Sequence, residues 1–499
     1  MVVAAIDAGT TGVRCMISGA KGEPLGMSRR SWDYTTPVDL EIAKEFSPAH
    51  FWHLICTVVR EAIRASGVKA SDILAVSTTS QRHGAVFVDR AGVEVYAGPN
   101  VDARGAMTQY IIEESLGEKY HEITGCWPPL MFSPARLSWF EEEAPDIFES
   151  IAHILPINDW ITYRLGDTFT TDPSAGSATG FMDVRTCKWS DEVTEAVGIN
   201  SEILPEIHEP GTIIGEVTAE AHKACGLPKG LQIAQGGADA HCALLASTAQ
   251  PGEIVVIAGS TAPVMMILDQ FFCDPAHKIW TGCHMIYGNW VLESNATLTG
   301  AYLNWVIRLL CERAKNTERC IKDTLNHLDK ILAGIPPGSN ETFFALGPSI
   351  MNCQQITDVK QAKMVFPQPA LPQVIPLNSA GMIHAVLENI AYAVRGNCLQ
   401  LEAHQQASCI KTIGGMTQSR IWPEMLANIL GRPVRAPVQP EGSLLGAAIC
   451  ASTGAGQYRR LMDAAEAMVK WKSPANPDER ADLYKSYYSK WSNMFCDGA

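Results

Sequence analysis

Several patterns that mark whole classes of protein are missing from this sequence. No apolar run reaches the roughly 18 residues that a membrane-spanning helix needs, and the first residues lack the basic segment of a signal peptide. The 15 cysteines include no CxxC pair and no Cys/His array with zinc-finger spacing. We therefore expect a cytoplasmic protein without membrane contact, whose thiols are reduced.

Positive charge is also scarce. The chain has 39 Lys and Arg against 53 Asp and Glu, which gives a formal net charge of −14. This sign disfavours a protein that wraps nucleic acid or covers an anionic membrane. We expect no nucleic-acid partner, and an anionic substrate would need a local basic site.

The apolar content is sufficient for large cores. Hydrophobic residues make up 46% of the 499 positions and charged residues 18%, which excludes wholesale disorder. A chain of this length exceeds the roughly 250 to 300 residues at which a single core stops growing, so we expect two domains. A break just before the Pro/Gly pair at 251–252 divides the chain into residues 1–248 and 249–499.

The first 80 residues combine strands with a helix. Short apolar runs at 2–6 and 13–18 flank a Gly/Thr turn, which predicts a β-hairpin, and a third strand is expected at Leu25. Apolar residues at helical spacing predict a helix over 48–66, followed by a buried strand over 73–77. A sheet followed by a helix and another strand indicates an α/β fold.

An internal similarity links the two halves of the chain. Residues 5–17 resemble residues 255–267 at an offset of 250, about half of the chain length. Duplicated domains would explain the match, although two unrelated hairpins with glycine turns would look alike. The glycine turn is present in both copies, but Asp7 and Arg14 have no polar counterpart in the second copy. Only the first copy could therefore hold a metal and a phosphate.

Two acidic motifs could carry chemistry. Asp7 precedes the turn Gly9-Thr10-Thr11-Gly12, whose N–H groups and hydroxyls suit an oxyanion, and Arg14 could offset phosphate charge. Asp239 follows two glycines at a predicted strand end, where a carboxylate could accept a hydroxyl proton. Each has a structural alternative, since Asp7 could cap a turn and Asp239 could cap a helix over 240–246. No Walker A motif occurs, so a nucleotide site would use another scaffold.

Other polar and glycine-rich segments are weaker signals. Gln81-Arg82-His83-Gly84 and Asn100-Val101-Asp102-Ala103-Arg104 could bind sugar hydroxyls, or could simply be solvated loops. Gly414-Gly415, with Ser419 shortly after, suits a nucleotide base or ribose. The small residues at 441–448 predict a helix that packs closely against its neighbours.

The order of these motifs is more informative than any one of them. In chain order they are Asp7-x-Gly-Thr-Thr, Gln81-Arg-His-Gly, Asp102-Ala-Arg, Gly236-Gly-x-Asp239, Gly259-Ser-Thr, Gly414-Gly and Gly446-Ala-Ala. This succession resembles the FGGY family of carbohydrate kinases from end to end. The resemblance implies an α/β fold with two actin-like (ribonuclease H-like) ATPase domains and an interdomain cleft. The acceptor sugar would bind in residues 1–248, which end with the catalytic base, and ATP in residues 249–499.

The resemblance also implies roles for individual residues. Asp239 corresponds to the catalytic base, and Asp7 to the acid that holds Mg²⁺ through water. The positions that correspond to phosphate and ATP contacts are Thr10, Thr11, Arg14, Gly259, Ser260, Gly300, Gly415 and Ser419. Those that correspond to acceptor contacts are Gln81, Arg82, His83 and Asp102, together with Asp239.

This resemblance implies that the acceptor is a small sugar, ketose or polyol-like molecule. The segment from Asn100 to Arg104 looks most like the autoinducer-2 kinase branch, whose acceptor is a linear dihydroxypentanedione, and His83 disfavours glycerol. A pentulose such as xylulose or ribulose is the alternative acceptor. A non-catalytic actin-like ATP-binding regulator is the alternative of another class, which the presence of Asp7 and Asp239 disfavours. A homodimer is compatible with this resemblance.

Overall fold

The computed structural model describes residues 1–355, 361–367 and 378–496. Two compact units make up the chain. The first contains Met1–Thr248, Leu268–Leu292 and Glu441–Val469, and the second contains Ala249–Ile267, Glu293–Pro440 and Lys470–Ala499. Among the described residues, no helix is both long enough and apolar enough to pass through a bilayer.

The strands and helices alternate along most of the chain. The strands are β1 (Val2–Gly9), β2 (Gly12–Gly19), β3 (Pro24–Ser31), β4 (Ile73–Ser80), β5 (Ala85–Asp89), β6 (Glu94–Gly98), β7 (Ile151–Pro156), β8 (Thr170–Thr171), β9 (Met182–Asp183), β10 (Lys188–Trp189), β11 (Glu206–Ile207), β12 (Ile213–Glu216), β13 (Gln232–Ala238), β14 (Ile254–Ile257), β15 (Pro263–Leu268), β16 (Trp280–Cys283), β17 (Trp290–Asn295), β18 (Phe343–Ala345), β19 (Lys363–Val365), β20 (Ile410–Ile413) and β21 (Val434–Arg435). The helices are α1 (Pro48–Ser66), α2 (Gln109–Ser115), α3 (Glu118–Thr124), α4 (Ser133–Glu143), α5 (Pro145–Ser150), α6 (Ile157–Gly166), α7 (Pro173–Ser177), α8 (Asp191–Ala196), α9 (Ala219–Cys225), α10 (Asp239–Leu245), α11 (Thr299–Leu310), α12 (Thr317–Asn326), α13 (Leu328–Ile331), α14 (Ser379–Glu402), α15 (Ile421–Leu430), α16 (Gly442–Gly454), α17 (Leu461–Met468) and α18 (Ala481–Cys496).

The first unit is built on a six-stranded sheet in the order β12-β13-β4-β1-β2-β3. β1, β2 and β3 are antiparallel neighbours, which confirms the predicted hairpin and third strand. β4 runs parallel to both β1 and β13, so three strands end at the same edge of the sheet. This edge positions the candidate site described below.

Helix α1 shows why the local sequence pattern was readable. Ser47 accepts a hydrogen bond from the His50 N–H at its start, and Gly67 ends it in the left-handed conformation. Phe51, Ile55 and neighbouring apolar residues at helical spacing are buried in the core of the first unit. The predicted helix over 48–66 and the predicted α/β class are confirmed.

A second six-stranded sheet has the order β16-β17-β15-β14-β20-β21, and its last five strands repeat the order β3-β2-β1-β4-β13 of the first sheet. In both units the central strand pairs antiparallel with the next strand along the chain and parallel with a later one. The internal similarity therefore corresponds to a repeated sheet. The pairing differs slightly, because Asp7 pairs with Arg14 whereas Val256 pairs with Val264.

The two compact units of the structure do not coincide with a division of the chain at residue 248. Segments 268–292 and 441–469 belong to the first unit, although they lie beyond that position in the sequence. Helix α16 explains the second segment, because it packs against β1, β4 and β13. A Cβ atom at Gly446 would collide with the backbone of Cys242 on α10, so only glycine allows this approach. The predicted close packing of this helix is confirmed.

The expectation that all thiols are reduced is wrong at one pair. Cys311, which follows α11, forms a disulfide with Cys320 in α12. The two residues are nine positions apart, a spacing outside the CxxC and zinc-ligand patterns that sequence analysis screens for. Among the other cysteines whose side chains are described, no second disulfide is present.

Candidate active site

Two acidic residues and one amide lie at the carboxyl ends of the three parallel strands of the first unit. Ala8 on β1 and Ala238 on β13 both pair with Ser80 on β4. The residues that neighbour these three in the chain therefore lie at the same edge of the sheet. Asp7 is in β1, Gln81 follows β4, and Asp239 follows β13. The carboxyl edge of a parallel sheet is a common place for ligand sites.

The Asp7 carboxylate is fully buried, and the protein holds it through one of its two oxygens. Its Oδ2 atom accepts hydrogen bonds from the Arg14 guanidinium and, at 2.6 Å, from Ser443 Oγ. Its Oδ1 atom is buried and has no hydrogen-bond partner in the described part of the protein. A buried oxygen without a partner costs free energy, so this atom is suited to a water, a cation or a ligand group.

Sequence analysis missed two residues of this cluster. Glu441 pairs with Arg14, and Ser443 lies 3.1 Å from the Arg14 Nη2 atom as well as contacting Asp7. Both are at the start of α16. The charge of Asp7 is the largest cause that raises the pKa of Arg14, so the guanidinium stays charged. The only sequence signal was the small-residue pattern of the helix, which indicated packing rather than contact with Asp7.

Asp239 is the first residue of α10, and as a residue it is partly exposed. It does not cap the helix from outside, because Ala238 occupies the cap position; its Oδ1 instead accepts a 2.7 Å bond from its neighbour's N–H. Burial, and then the charge of Asp7, raise the pKa of Asp239 to about 6, while Arg82 and Arg14 act in the opposite direction. A carboxylate with a pKa in this range can accept a proton near neutral pH.

Gln81, Arg82 and His83 line a pocket whose wall also includes Asn158, Ala178 and Ala238. His83 Nδ1 donates a 3.0 Å hydrogen bond to the carbonyl oxygen of Ala178. Burial and the charge of Arg82 lower the pKa of His83 to about 3, so the imidazole is neutral at physiological pH. The pocket therefore combines one positive charge with neutral donors and acceptors.

Asp102 does not line that pocket, and its carboxylate is bonded to other groups of the protein. It accepts bonds from Tyr96 Oη at 2.5 Å, Arg104 Nε at 2.8 Å and the Lys44 N–H at 3.0 Å. This network fixes the loop that contains Asn100. The contact of Asp102 with an acceptor stays a prediction, and the bonds of the carboxylate indicate support of the loop.

The loop of Asn100 reaches the Gly/Thr turn. Asn100 Nδ2 donates a 3.0 Å bond to Thr10 Oγ1, and its backbone N–H donates to Gln81 Oε1 at 3.1 Å. The carbonyl oxygen of Thr10 accepts a 2.5 Å bond from Tyr34, whereas Thr11 is exposed. The structure thus brings Thr10, Gln81 and the 100–104 loop together, and leaves Thr11 facing solvent.

Two histidines of the first unit, His241 and His284, are buried. His241 lies on α10, is 3% exposed, and neither of its ring nitrogens has a partner among the described residues. His284 Nδ1 accepts a bond from the Ile286 N–H, but its Nε2 is buried without a partner in the same part of the chain. Burial lowers the pKa of both imidazoles, so they are neutral.

The other residues predicted to bind the nucleotide lie in the second unit and form two groups, one at Gly259, Ser260 and Gly300 and the other at Gly415 and Ser419. The Gly300 N–H, at the start of α11, donates a 3.2 Å bond to the carbonyl oxygen of Gly259, and Ser260 accepts a similar bond from Ala301. A Cβ at Gly300 would collide with Gly259, so this approach requires glycine. Gly415 has open space where a side chain would be.

Ser419 is engaged differently. Its hydroxyl donates a 2.6 Å bond to Asp329, which also accepts bonds from the backbone N–H groups of Arg420 and Ile421. These bonds lower the pKa of Asp329. Ser419 therefore fixes the start of α15, and its contact with a nucleotide stays a prediction.

Comparison with known protein families covers nearly the whole chain. Residues 2–246 match the N-terminal domain of the FGGY family of carbohydrate kinases, and residues 254–455 match its C-terminal domain. An autoinducer-2 kinase of Yersinia enterocolitica is 30% identical over 502 aligned positions, which cover 99% of this chain and 94% of that protein. An autoinducer-2 kinase of Escherichia coli K12 is 28% identical, with the same coverage.

Solved structures support the fold. A xylulose kinase from Rhodospirillum rubrum superposes with a TM-score of 0.82 at 23% identity, covering 100% of this chain and 99% of the other. A gluconate kinase from Lactobacillus acidophilus gives a TM-score of 0.83 at 18% identity, covering 99% and 98%. These likenesses, with the repeated sheet order, confirm the predicted pair of actin-like α/β domains.

Proposed function

Because this chain belongs to the FGGY family of carbohydrate kinases, and is thus a phosphotransferase with a hydroxyl acceptor, we propose that it phosphorylates a short carbonyl-bearing acceptor of the dihydroxypentanedione type with ATP. The observation that carries the proposal is the environment of Asp239. This residue is partly exposed and lies at the carboxyl edge of the sheet, and the pKa of its carboxyl is raised to about 6. The relatives at 28 to 30% identity are autoinducer-2 kinases, which supports the choice of acceptor.

Asp239 acts as the general base. It accepts the proton of the acceptor hydroxyl while that oxygen attacks the γ-phosphorus of ATP in line. Arg82 keeps part of the carboxylate population ionised, since its charge opposes the effect of burial. After transfer the proton leaves Asp239 for solvent, which restores the base for the next cycle.

Acceptor binding is assigned to the pocket of Gln81, Arg82 and His83. The neutral His83 presents an uncharged ring to the acceptor, while Arg82 supplies the positive charge that an oxygen-rich molecule favours. Hydroxyl and carbonyl groups are read well by such fixed donors and acceptors, because unpaired buried polar groups penalise analogues that lack them. The cytoplasmic location belongs to this proposal as well.

The residues around Asp7 fit a hydrated Mg²⁺ ion. Asp7 Oδ1 is buried without a partner among the described residues, and the Asp239 carboxylate is close enough for the charge of Asp7 to raise its pKa. In the described part of the chain no group of three His, Cys, Asp or Glu side chains could enclose a metal, so water would supply most ligands, as Mg²⁺ prefers. When bound, the ion would offset phosphate charge. Because Arg14 and Ser443 hold the Oδ2 atom of Asp7, the Oδ1 atom keeps one position in the site.

ATP is assigned to the second unit. The backbone of Gly259 and Ser260 meets the start of α11 at Gly300, a combination of turn and helix N-terminus that favours phosphate oxygens. Gly415 leaves open space in which a ribose or base can approach the backbone closely. In the first unit, Thr10 and Arg14 are proposed to contact phosphate oxygens.

The acceptor is tested by measuring ADP release from purified protein with ATP and Mg²⁺. Dihydroxypentanedione, xylulose, ribulose and glycerol are compared, and each product is identified by mass. We expect the highest kcat/KM with dihydroxypentanedione and little transfer to glycerol. A strict preference for a pentulose would replace the proposed acceptor by the alternative one.

The base is tested in the same assay. Asp239→Asn should bind ATP yet lose most turnover, whereas Asp191→Asn should behave like the unmodified protein, because Asp191 is an exposed acid in the first turn of α8. Absence of transfer to any acceptor by the unmodified protein would favour the non-catalytic regulator. Full activity of Asp239→Asn would contradict the assignment of the base.

A further inference from the structure

Two thiols far apart in sequence are in contact in the first unit. Cys187 Sγ lies 3.2 Å from Cys283 Sγ, although 96 residues separate them in the chain. A disulfide bond has an S–S distance of about 2.05 Å, so the two sulfurs need to approach by only about 1 Å to bond. The predicted function uses neither residue.

The fold fixes both sulfurs from well-ordered elements. Cys187 lies in the turn between β9 and β10, and Asp183 closes this turn by accepting a 2.9 Å bond from the Arg185 N–H. Cys283 is the last residue of β16, and its N–H donates to Ser177 Oγ at 3.3 Å. Cys187 thus lies in a hydrogen-bonded turn next to β10, and Cys283 lies at the end of β16.

A further bond joins the two segments. Trp290 Nε1 donates to the carbonyl oxygen of Val184 at 2.8 Å, and the Cys283 thiol lies 3.6 Å from the same oxygen. Met182, Val184 and Cys283 are completely buried and form one apolar cluster. The contact between the thiols is therefore part of a packed interior and not an accidental meeting of surface side chains.

The two thiols differ in the way that a reactive pair requires. Cys187 is partly exposed, and its contact with the Cys283 thiol lowers its pKa. Cys283 is buried, and the same contact together with burial raises its pKa. Cys187 is the more readily ionised and the more accessible sulfur, which are the properties of a thiol that reacts with oxidants.

We propose that Cys187 and Cys283 are a reversible oxidation site, in which a hydroperoxide converts the thiol pair to a disulfide. The Cys187 thiolate attacks one peroxide oxygen, the O–O bond breaks, and the leaving hydroxide takes a proton to become water. Cys283 sulfur then attacks the sulfur of the resulting Cys187 sulfenic acid, the S–O bond breaks, and the Cys283 proton leaves with the hydroxide as a second water. The two sulfurs lose two electrons in total, and hydrogen peroxide gains them.

The disulfide would form at the end of β16, a strand that contacts a residue of the acceptor pocket. Trp280, at the start of β16, packs edge-on against the His83 ring with centroids 5.5 Å apart. A Cβ at Gly282 would lie 3.9 Å from His241 Nε2. Oxidation therefore ties the strand beside His83 and His241 to the β9–β10 turn. The proposal stands whether or not the assigned acceptor is correct.

The test maps disulfides after mild oxidation. The full-length protein is reduced, freed of reductant, treated with equimolar hydrogen peroxide, alkylated and digested without reduction. We expect a linked peptide pair containing Cys187 and Cys283, lighter by two hydrogens than the sum of the reduced peptides and separated by dithiothreitol. Cys273→Ser is the matched control, because Cys273 is another partly exposed cysteine of the first unit, and this variant should keep the linked pair.

A second variant separates the two chemical steps. Cys283→Ser removes the thiol that resolves the sulfenic acid, so dimedone should label Cys187 in this variant and not in the unmodified protein. Circular dichroism of the reduced proteins checks that the variants are folded. Recovery of both cysteines as alkylated thiols after peroxide, or of Cys187 as a sulfinic acid beside an intact Cys283 thiol, would overturn the proposal.

Discussion

Ser443 donates a 2.6 Å hydrogen bond to Asp7 Oδ2, although 436 residues separate the two in the chain. Arg14 bonds to the same oxygen, so the orientation of the carboxylate is fixed from two sides. The other oxygen, Oδ1, is buried and has no partner among the described residues. The start of α16 thus orients Asp7 so that one oxygen is left for a ligand.

Replacement of Ser443 by Ala should lower kcat while leaving the fold intact. The lost hydrogen bond contributes about 1 kcal/mol to stability, and the Asp7 carboxylate, which then keeps only its bond to Arg14, is oriented less tightly. Loss of a residue that orients a ligating group typically costs about 10-fold or more in activity. Steady-state kinetics and thermal melting are the measurements.

Ser452→Ala is the matched control for this prediction. Ser452 lies on the same helix, is completely buried, and its hydroxyl has no partner in the described part of the protein. Its removal should change neither kcat nor the melting temperature much. Equal activities of Ser443→Ala and Ser452→Ala would show that the bond to Asp7 has no catalytic value.

Arg14→Met should move the acid limb of the pH–kcat profile to higher pH as well as reduce kcat. The positive charge of Arg14 favours the ionised form of Asp239, so its removal raises the pKa of that carboxyl. The shift should be up to about one pH unit, because Arg14 is a smaller influence than burial. The profile is measured between pH 5 and pH 9 under saturating substrates.

Arg164→Met provides the comparison for a lost ion pair outside the site. Arg164 pairs with Glu94 at 2.7 Å and has a similar exposure to Arg14, 26% against 33%. This variant should keep the acid limb of the unmodified protein. A limb that stays in place in Arg14→Met would contradict the electrostatic coupling of Arg14 to Asp239.

The parts of the fold that depend on local pattern were predictable. The β1–β2 hairpin, helix α1 and strand β4 all follow from apolar spacing and turn residues within short windows. Asp7 and Asp239 could be singled out because each stands near a strand end, two residues from a glycine. The repeat at an offset of 250 also indicated the second sheet before its strand order was known.

The parts that depend on distant contacts were not predictable. Nothing near Glu441 or Ser443 indicates that they meet Arg14 and Asp7, since that contact arises only when α16 packs on β1 and β4. The disulfide of Cys311 was missed for a different reason, because its partner is only nine positions away but the spacing matches no common motif. Contacts between segments hundreds of residues apart leave no mark in local periodicity.

The unmodified protein should lose turnover as the pH falls through about 6. Burial and the charge of Asp7 raise the pKa of Asp239 to about 6, so below that pH most molecules carry a protonated, inactive base. His83 should not contribute to this limb, because its pKa is lowered to about 3. A kcat that is flat from pH 7 to pH 5 would contradict the role of Asp239.

The same pKa shift has a consequence for stability. Asp239 binds its proton more tightly in the folded protein than its ordinary value of 3.8 implies, so this group makes unfolding easier as the pH rises from about 4 to about 6. Asp239→Asn removes the penalty of the buried charge. Its melting temperature at pH 7 should be equal to or above that of the unmodified protein, and a clear drop would show that the carboxylate is structurally required.

Gly300→Ala should destabilise the second unit, whereas Gly415→Ala should not. A methyl group at residue 300 would collide with the carbonyl oxygen of Gly259 and push α11 away from that turn, at a cost of about 1 to 3 kcal/mol. At Gly415 the same methyl group meets no protein atom within 4 Å.

Gly415→Ala should therefore keep the melting temperature and raise the KM for ATP, because the methyl group fills space assigned to the nucleotide. Calorimetry and ATP kinetics distinguish the two effects, and an unchanged KM for ATP in Gly415→Ala would remove Gly415 from the nucleotide site.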